Sequence, residues 1–158
     1  MLFCLRFGLQ CFIVTNSSIV VGGKAILMRM GIYSDKVHDV KNIPDGATIA
    51  IPNDPTNGGR GLMLLERAGI IKLKAGLGMK ATPKDIAENP KHIVIKELEA
   101  AQLPRSLQDV DAAAITMNYV MSGGLDVKKQ NIFLESKDEP LAVMIIAARN
   151  KDKDKAEY

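Results

Sequence analysis

The run Ala112-Ala-Ala-Ile-Thr116 sets four apolar residues in a row directly after Asp111. A strand without polar alternation is stable only when both of its faces are covered. It requires packed layers above and below, and commits the chain around it to an α/β layer structure. Neighbouring segments agree. Ala47–Pro52 (ATIAIP) and Ile93–Leu98 (IVIKEL) read as further strands, and Thr56–Ala68 carries Leu62, Leu65 and Ala68 on one helical face before Gly69 stops it. Thr82–Asn89 reads as a helix with Thr82 as N-cap and Pro83 in the first turn, closed before Pro90. By the same rule Pro104–Val110 reads as a short helix, and Asn118–Ser122 as a helical turn before Gly123. Phe133–Glu135 reads as a short strand, Leu141–Ala148 as the most apolar strand, and Lys151–Tyr158 as a frayed or helical end. Strands joined through short helices predict a largely parallel sheet.

Charge and aromatic content narrow the possible partners. Arg6, Lys24 and Arg29 are the only charges before Asp35, so the remainder carries 18 of each sign. A neutral body without a basic stripe has no electrostatic footprint for nucleic acid. No aromatic residue lies between Tyr33 and Tyr119, which removes base-stacking platforms from the middle of the chain. Cys4 and Cys11 have no CxxC spacing, and His38 and His92 stand far apart, so neither a metal site nor a cofactor is expected. Residues 1–21 are apolar but broken by Arg6, Gly8, Gln10 and Thr15–Ser18, too interrupted for a membrane span of ~20 residues. They also lack the basic start and small-residue cleavage site of a signal peptide, and Leu9-Gln10 before Cys11 does not match a lipobox.

Three polar loops follow strands. In Asn53-Asp-Pro-Thr-Asn-Gly-Gly-Arg60, a helix start can present free N–H groups to an anion and Gly58-Gly59 can let backbone approach a ligand. Arg60 adds a two-pronged donor for carboxylate or phosphate; an ordinary turn with a solvated arginine is the other reading. The loop is not a phosphate-binding Gly-x4-Gly-Lys-Ser/Thr motif. In Leu98–Arg105, Arg105 offers a second anion contact and Glu99 or Gln102 a partner for an ammonium group, against the plainer reading of a Pro-started helix with an exposed arginine. Thr116-Met-Asn-Tyr119 supplies Asn118 and Tyr119, which can read a polar ligand or cap the next turn. No Ser-His-Asp, Cys-His or clustered-carboxylate arrangement accompanies these loops, which favours binding of a small anion or zwitterion without catalysis.

At these same residues the chain resembles the NlpA-type lipoproteins, the substrate-binding proteins of methionine ABC transporters. The resemblance is carried by Met30-Gly-Ile-Tyr-Ser-Asp-Lys36, Ile51-Pro-Asn-Asp-Pro-Thr-Asn57 with Arg60, and Gly69-Ile-Ile-Lys-Leu-Lys74. It continues in Glu88-Asn-Pro90, Glu97-Leu-Glu-Ala-Ala-Gln-Leu-Pro-Arg-Ser-Leu107 and Glu135-Ser-Lys-Asp138, and runs from about Val21 to Lys153. It implies an α/β, periplasmic-binding-protein-like fold, mainly the second lobe of a two-lobed molecule with a crossover strand to an incomplete first lobe. The implied division is 1–20 divergent, 21–39 remnant of lobe 1 and crossover, 40–123 lobe 2, and 124–158 return strand and charged tail. Arg60 would clamp the ligand carboxylate while Asn53 and Asn57 shape the loop; Thr116, Asn118 and Arg105 complete the expected ligand-binding set. The implied partners are L-methionine or a related amino acid, an ABC permease and its ATPase, and the implied location is the cell envelope, membrane-anchored or periplasmic.

Several family features have no counterpart. The lipidated cysteine, most of the first lobe, the aromatic ligand wall and the last helices are missing, and residues 1–14 do not look like the family, which suggests a truncated or frameshifted gene. Thr116 stands where the family commonly has Asn, and Val143 where it carries an Asn expected against the ligand's backbone groups. Three readings follow: a binding protein of an amino-acid importer, a non-functional remnant of that family, or a small anion-binding α/β domain with another ligand, as in an enzyme acting on a phosphate ester.

Overall fold

The computed structural model describes the backbone of residues 3–7, 10–14, 19–139 and 142–149, and the side chains of 27–139 and 142. Its strands in chain order are β1 (Phe3–Phe7), β2 (Gln10–Val14), β3 (Ile19–Leu27), β4 (Met30–Tyr33), β5 (Thr48–Pro52) and β6 (Lys72–Leu73). There follow β7 (Ile86–Glu88), β8 (Val94–Leu98), β9 (Ala112–Thr116), β10 (Asn131–Leu134) and β11 (Val143–Arg149). The helices are α1 (Pro55–Arg67), α2 (Leu103–Ser106), α3 (Met117–Ser122) and α4 (Val127–Gln130). The chain divides into two compact units, Met1–Arg29 with Ser136–Tyr158, and Met30–Glu135.

In the first unit β1 and β2 form an antiparallel pair, and β3 pairs antiparallel with β11. Strands at 3–7 and 10–14 were not expected from the sequence. Of the expected strand Leu141–Ala148, Leu141 lies outside the described residues, as does the tail 151–158.

The second unit is built on a five-stranded sheet in the order β10-β4-β9-β5-β8. β5 runs parallel to both β8 and β9, whereas β4 runs antiparallel to β9 and to β10. The expectation of a largely parallel sheet is thus corrected to a parallel core with an antiparallel margin. The strands that enter and leave this unit, β4 and β10, supply that margin. All five residues of β9 are buried, as its apolar run demands. Alternation then sorts the core. Ile49, Ile51, Ala112, Ala114, Met30 and Ile32 pack with Leu62, Leu64 and Leu65 of α1 on one face. Ala50, Ala113, Ile115 and Tyr33 pack with Leu103, Leu107 and Val120 from around α2 and α3 on the other.

Helix α1 is bounded by local chemistry. The Asp54 carboxylate accepts the Asn57 N–H at 2.9 Å, Pro55 opens the first turn, and Gly69 at φ 73° closes the end, with Ile70 N–H bonded to the Leu65 carbonyl. The expected helix Thr82–Asn89 is a single 3₁₀ turn, Pro83–Asp85, followed by β7. Thr82 and Pro83 do start a turn, but Ile86 and Glu88 are taken by antiparallel pairing with Leu73 and Lys72. The expected helix Pro104–Val110 is the shorter α2, because the chain must reach the sheet by Asp111, whose N–H bonds the Thr48 carbonyl at 2.9 Å.

Candidate functional site

The strand directions bring the carboxyl ends of β5, β8, β9 and β10 and the beginning of β4 to one edge of the sheet. Ligands of open α/β sheets bind beyond such an edge. Arg60, in the second turn of α1, is buried there with 8% exposure. Its Nε–H donates to Glu135 Oε1 at 2.8 Å and its Nη2 to Glu135 Oε2 at 2.5 Å, a two-pronged charge-assisted pair. Glu135 is 3% exposed, and Oε2 also accepts the Met30 N–H at 2.6 Å. A second bond runs between the same two residues, from the Glu135 N–H to the Met30 carbonyl at 3.0 Å. Two charges so deeply buried are tolerable because the fork geometry and the extra N–H compensate their lost hydration.

Thr116 ends β9 on the same face as Ala112 and Ala114, and is the register partner of Met30. Arg60, Glu135, Met30 and Thr116 therefore gather at one point. Glu135 was not among the residues expected to matter. It sits in the charged string Glu135-Ser-Lys-Asp138, which reads as surface, and only its pairing with a residue 75 positions away shows that it turns inward.

The other expected residues are placed differently. Asn57 directs its side-chain amide onto the Asp54 carboxylate at 3.1 Å, so it holds the loop closed. Asn53 is exposed, with its backbone N–H on the Leu98 carbonyl at 2.8 Å. Arg105 and Asn118 are exposed, and they belong to α2 and α3, on the face opposite α1. The idea that the helix start offers free N–H groups to an anion is corrected: the Asp54 carboxylate caps it and brings its own negative charge. The two glycines also serve the protein itself. A Cβ on Gly59 would lie 2.0 Å from the Met79 carbonyl oxygen, and one on Gly58 2.8 Å from that of Pro52. Their smallness admits the backbone of Met79 and Pro52.

Beside this helix start lies an open cavity of about 420 Å³, lined among others by Asn53, Thr56, Lys80, Thr82 and Glu97. Neither Arg60 nor Thr116 reaches it. Its wall is fixed at Thr82, whose hydroxyl and N–H donate to Asp85 Oδ2 at 2.7 and 3.0 Å. Those bonds hold the Asp85 carboxyl below its ordinary range. On the hairpin beneath, the Glu88 carboxylate, 2.6 Å from Lys72 Nζ, raises the lysine by hydrogen bond and charge. Among the described residues no group of three His, Cys, Asp or Glu is placed to hold a metal, and no helix is long and apolar enough to cross a membrane.

Comparison with known proteins gives one consistent result. The sequence pattern of the NlpA lipoprotein family matches residues 10–158, which extends the likeness beyond the expected span of about Val21 to Lys153 and into the first 14 residues. A probable D-methionine-binding lipoprotein MetQ of Pasteurella multocida is 43% identical over 136 residues, covering 86% of this chain and 49% of its own. Among solved structures, a nutrient binding protein from Burkholderia cenocepacia bound to methionine is 50% identical with a TM-score of 0.80, over 89% of this chain and 59% of that one. An ABC transporter periplasmic substrate-binding protein from Coxiella burnetii is 45% identical with a TM-score of 0.77, over 88% and 58%. The fold is thus α/β and periplasmic-binding-protein-like, and the chain spans about half the length of the curated relatives it matches.

Proposed function

The chain belongs to the NlpA lipoprotein family, and from that premise we propose that it is the substrate-binding component of an ABC importer for methionine or a similar amino acid. It holds the ligand without chemical change and presents it to a permease driven by an ATPase, at the cell envelope. The observation that carries this reading is Arg60, a guanidinium buried at the ligand edge of the sheet and locked in orientation by Glu135, in a chain 50% identical to a methionine-bound protein. A donor pre-set in this way loses little freedom when a carboxylate arrives. In this proposal Arg60 contacts the ligand carboxylate and Thr116 lies beside it, while Asn53 and Asn57 set the loop. Arg105 and Asn118 are left outside the contact set, because their elements pack on the other face.

The same pair favours one rival. If Glu135 is the only carboxylate that Arg60 ever serves, the pair is purely structural and the chain binds no amino acid. A thermal melt with and without L-methionine separates the two. Binding to the native state at 100 times Kd stabilises by about 2.7 kcal/mol, a rise of about 5–10 °C in Tm for a chain of this size. A midpoint indifferent to millimolar L-methionine refutes the proposal and leaves the structural pair.

A further inference from the structure

The chain passes between its two units at only two places in the sequence, Arg29–Met30 and Glu135–Ser136. Met30 and Glu135 are the residues on the near side of those passages, and they are fastened to each other twice, by the Glu135 N–H to the Met30 carbonyl and by the Met30 N–H to Glu135 Oε2. That same Oε2 accepts from Arg60 Nη2, and Oε1 from Nε. We infer that Glu135 is a positioning residue with two duties: it orients Arg60, and it ties the hydrogen bonding of that guanidinium to the segments by which the chain crosses between units.

The physical step is the sharing of charge. A carboxylate that accepts from two guanidinium N–H groups and one backbone N–H divides its electron density among them. Weakening the guanidinium's hold, by substitution or by a second carboxylate drawing on the same cation, alters the remaining bond to the Met30 amide. Arg60 and the Met30 amide are each bonded to the Glu135 carboxylate, so the influence travels through that shared acceptor. Ile32, two residues on in β4 and fully buried in the α1-face core, has no part in this cluster and reports the general integrity of the strand. Only the last consequence, that an arriving ligand is felt at the crossings, rests on the proposed amino-acid binding.

Residue-resolved amide hydrogen exchange on the full chain tests this. In Arg60→Lys, whose ammonium cannot reproduce the fork, the Met30 amide is expected to exchange at least tenfold faster while Ile32 stays within twofold of the wild type. Glu135→Gln, which keeps shape but not charge, should show the same selective change. Should Arg60→Lys fail to fold, Arg60→Gln takes its place. An unchanged Met30 amide in the arginine variant overturns the inference, and so does parallel acceleration at Met30 and Ile32, which is mere loosening. In the wild type, saturating L-methionine should shift Met30 exchange at least threefold, and L-methioninol, which lacks the carboxylate, should not. A chain that shows no saturable methionine binding defeats the proposed function alone, since the substitution arms decide the coupling without ligand.

Discussion

At the scale of single residues, the Arg60–Glu135 pair is where stability and site geometry meet. Glu135→Ala takes the paired carboxylate from a buried guanidinium and the acceptor from the Met30 N–H, and is expected to cost about 3–5 kcal/mol in urea unfolding. The double variant Arg60→Met/Glu135→Leu removes both charges and should recover most of that loss, falling short by about 1–3 kcal/mol because the Met30 amide still lacks its acceptor. Equal, additive losses from the two single changes would mean that the charges do not interact. Asp85 provides a pH prediction. Its folded value is lowered by the Thr82 hydroxyl and N–H, so the stabilisation it brings is present above the ordinary 3.8 and disappears as pH falls through the folded value. Thr82→Val removes the hydroxyl and should raise the Asp85 titration midpoint toward 3.8 in an NMR titration, with the backbone bond retaining part of the shift. Lys72 works in the opposite sense: raised by Glu88, it stabilises below 10.5 and loses that effect as pH rises through its folded value.

At the scale of elements, α1 shows which local rules were legible and which were not. Its start, its apolar face and its glycine stop follow from Asp54, Leu62, Leu65 and Gly69, and all are readable along the chain. Why it tolerates glycine at 58 and 59, each about 1 kcal/mol worse than alanine in a helix, is not readable, because the reason lies in the backbone of Pro52 and Met79 pressed against them. Gly59→Ala would press a methyl onto the Met79 carbonyl, which no side-chain rotation relieves, and a net loss of about 1–2 kcal/mol is expected despite the gain in helix propensity. Gly61→Ala meets the Ile51 side chain at 3.4 Å and the Ala114 methyl at 3.5 Å, ordinary contacts, and should be near neutral. Paired thermal melts of these two variants check the contrast. Buried β9 was legible because its apolar run admits a single environment. The antiparallel margin was not, since β4 and β10 are four residues each, lie about 100 residues apart, and carry no turn chemistry linking them. Glu135 stayed hidden for the same reason: a charged residue among charged neighbours announces burial only through its partner.

At the scale of the whole molecule, the candidate site sits within one unit. Met30–Glu135 contains the entire five-stranded sheet, both core faces, the capped α1 and every bond of the Arg60–Glu135–Met30 cluster. Its size matches domains that fold independently. A fragment of residues 30–135 is therefore expected to unfold in one cooperative step, with calorimetric and van't Hoff enthalpies in agreement at about 60–80 kcal/mol for a unit near 100 residues. Broad melting without a shared enthalpy would show that this unit needs the rest of the chain to hold its core. If the fragment does fold, its response to L-methionine is informative in both directions. Retained binding would place the recognition of the ligand on the Arg60 and Thr116 face, and a cooperatively folded fragment that ignores L-methionine would show that this face alone does not suffice. The second outcome is the one expected. A single buried arginine and a threonine can fix a carboxylate, but the apolar side chain of methionine needs an enclosing wall, and ligand pockets commonly bury 70–90% of what they hold.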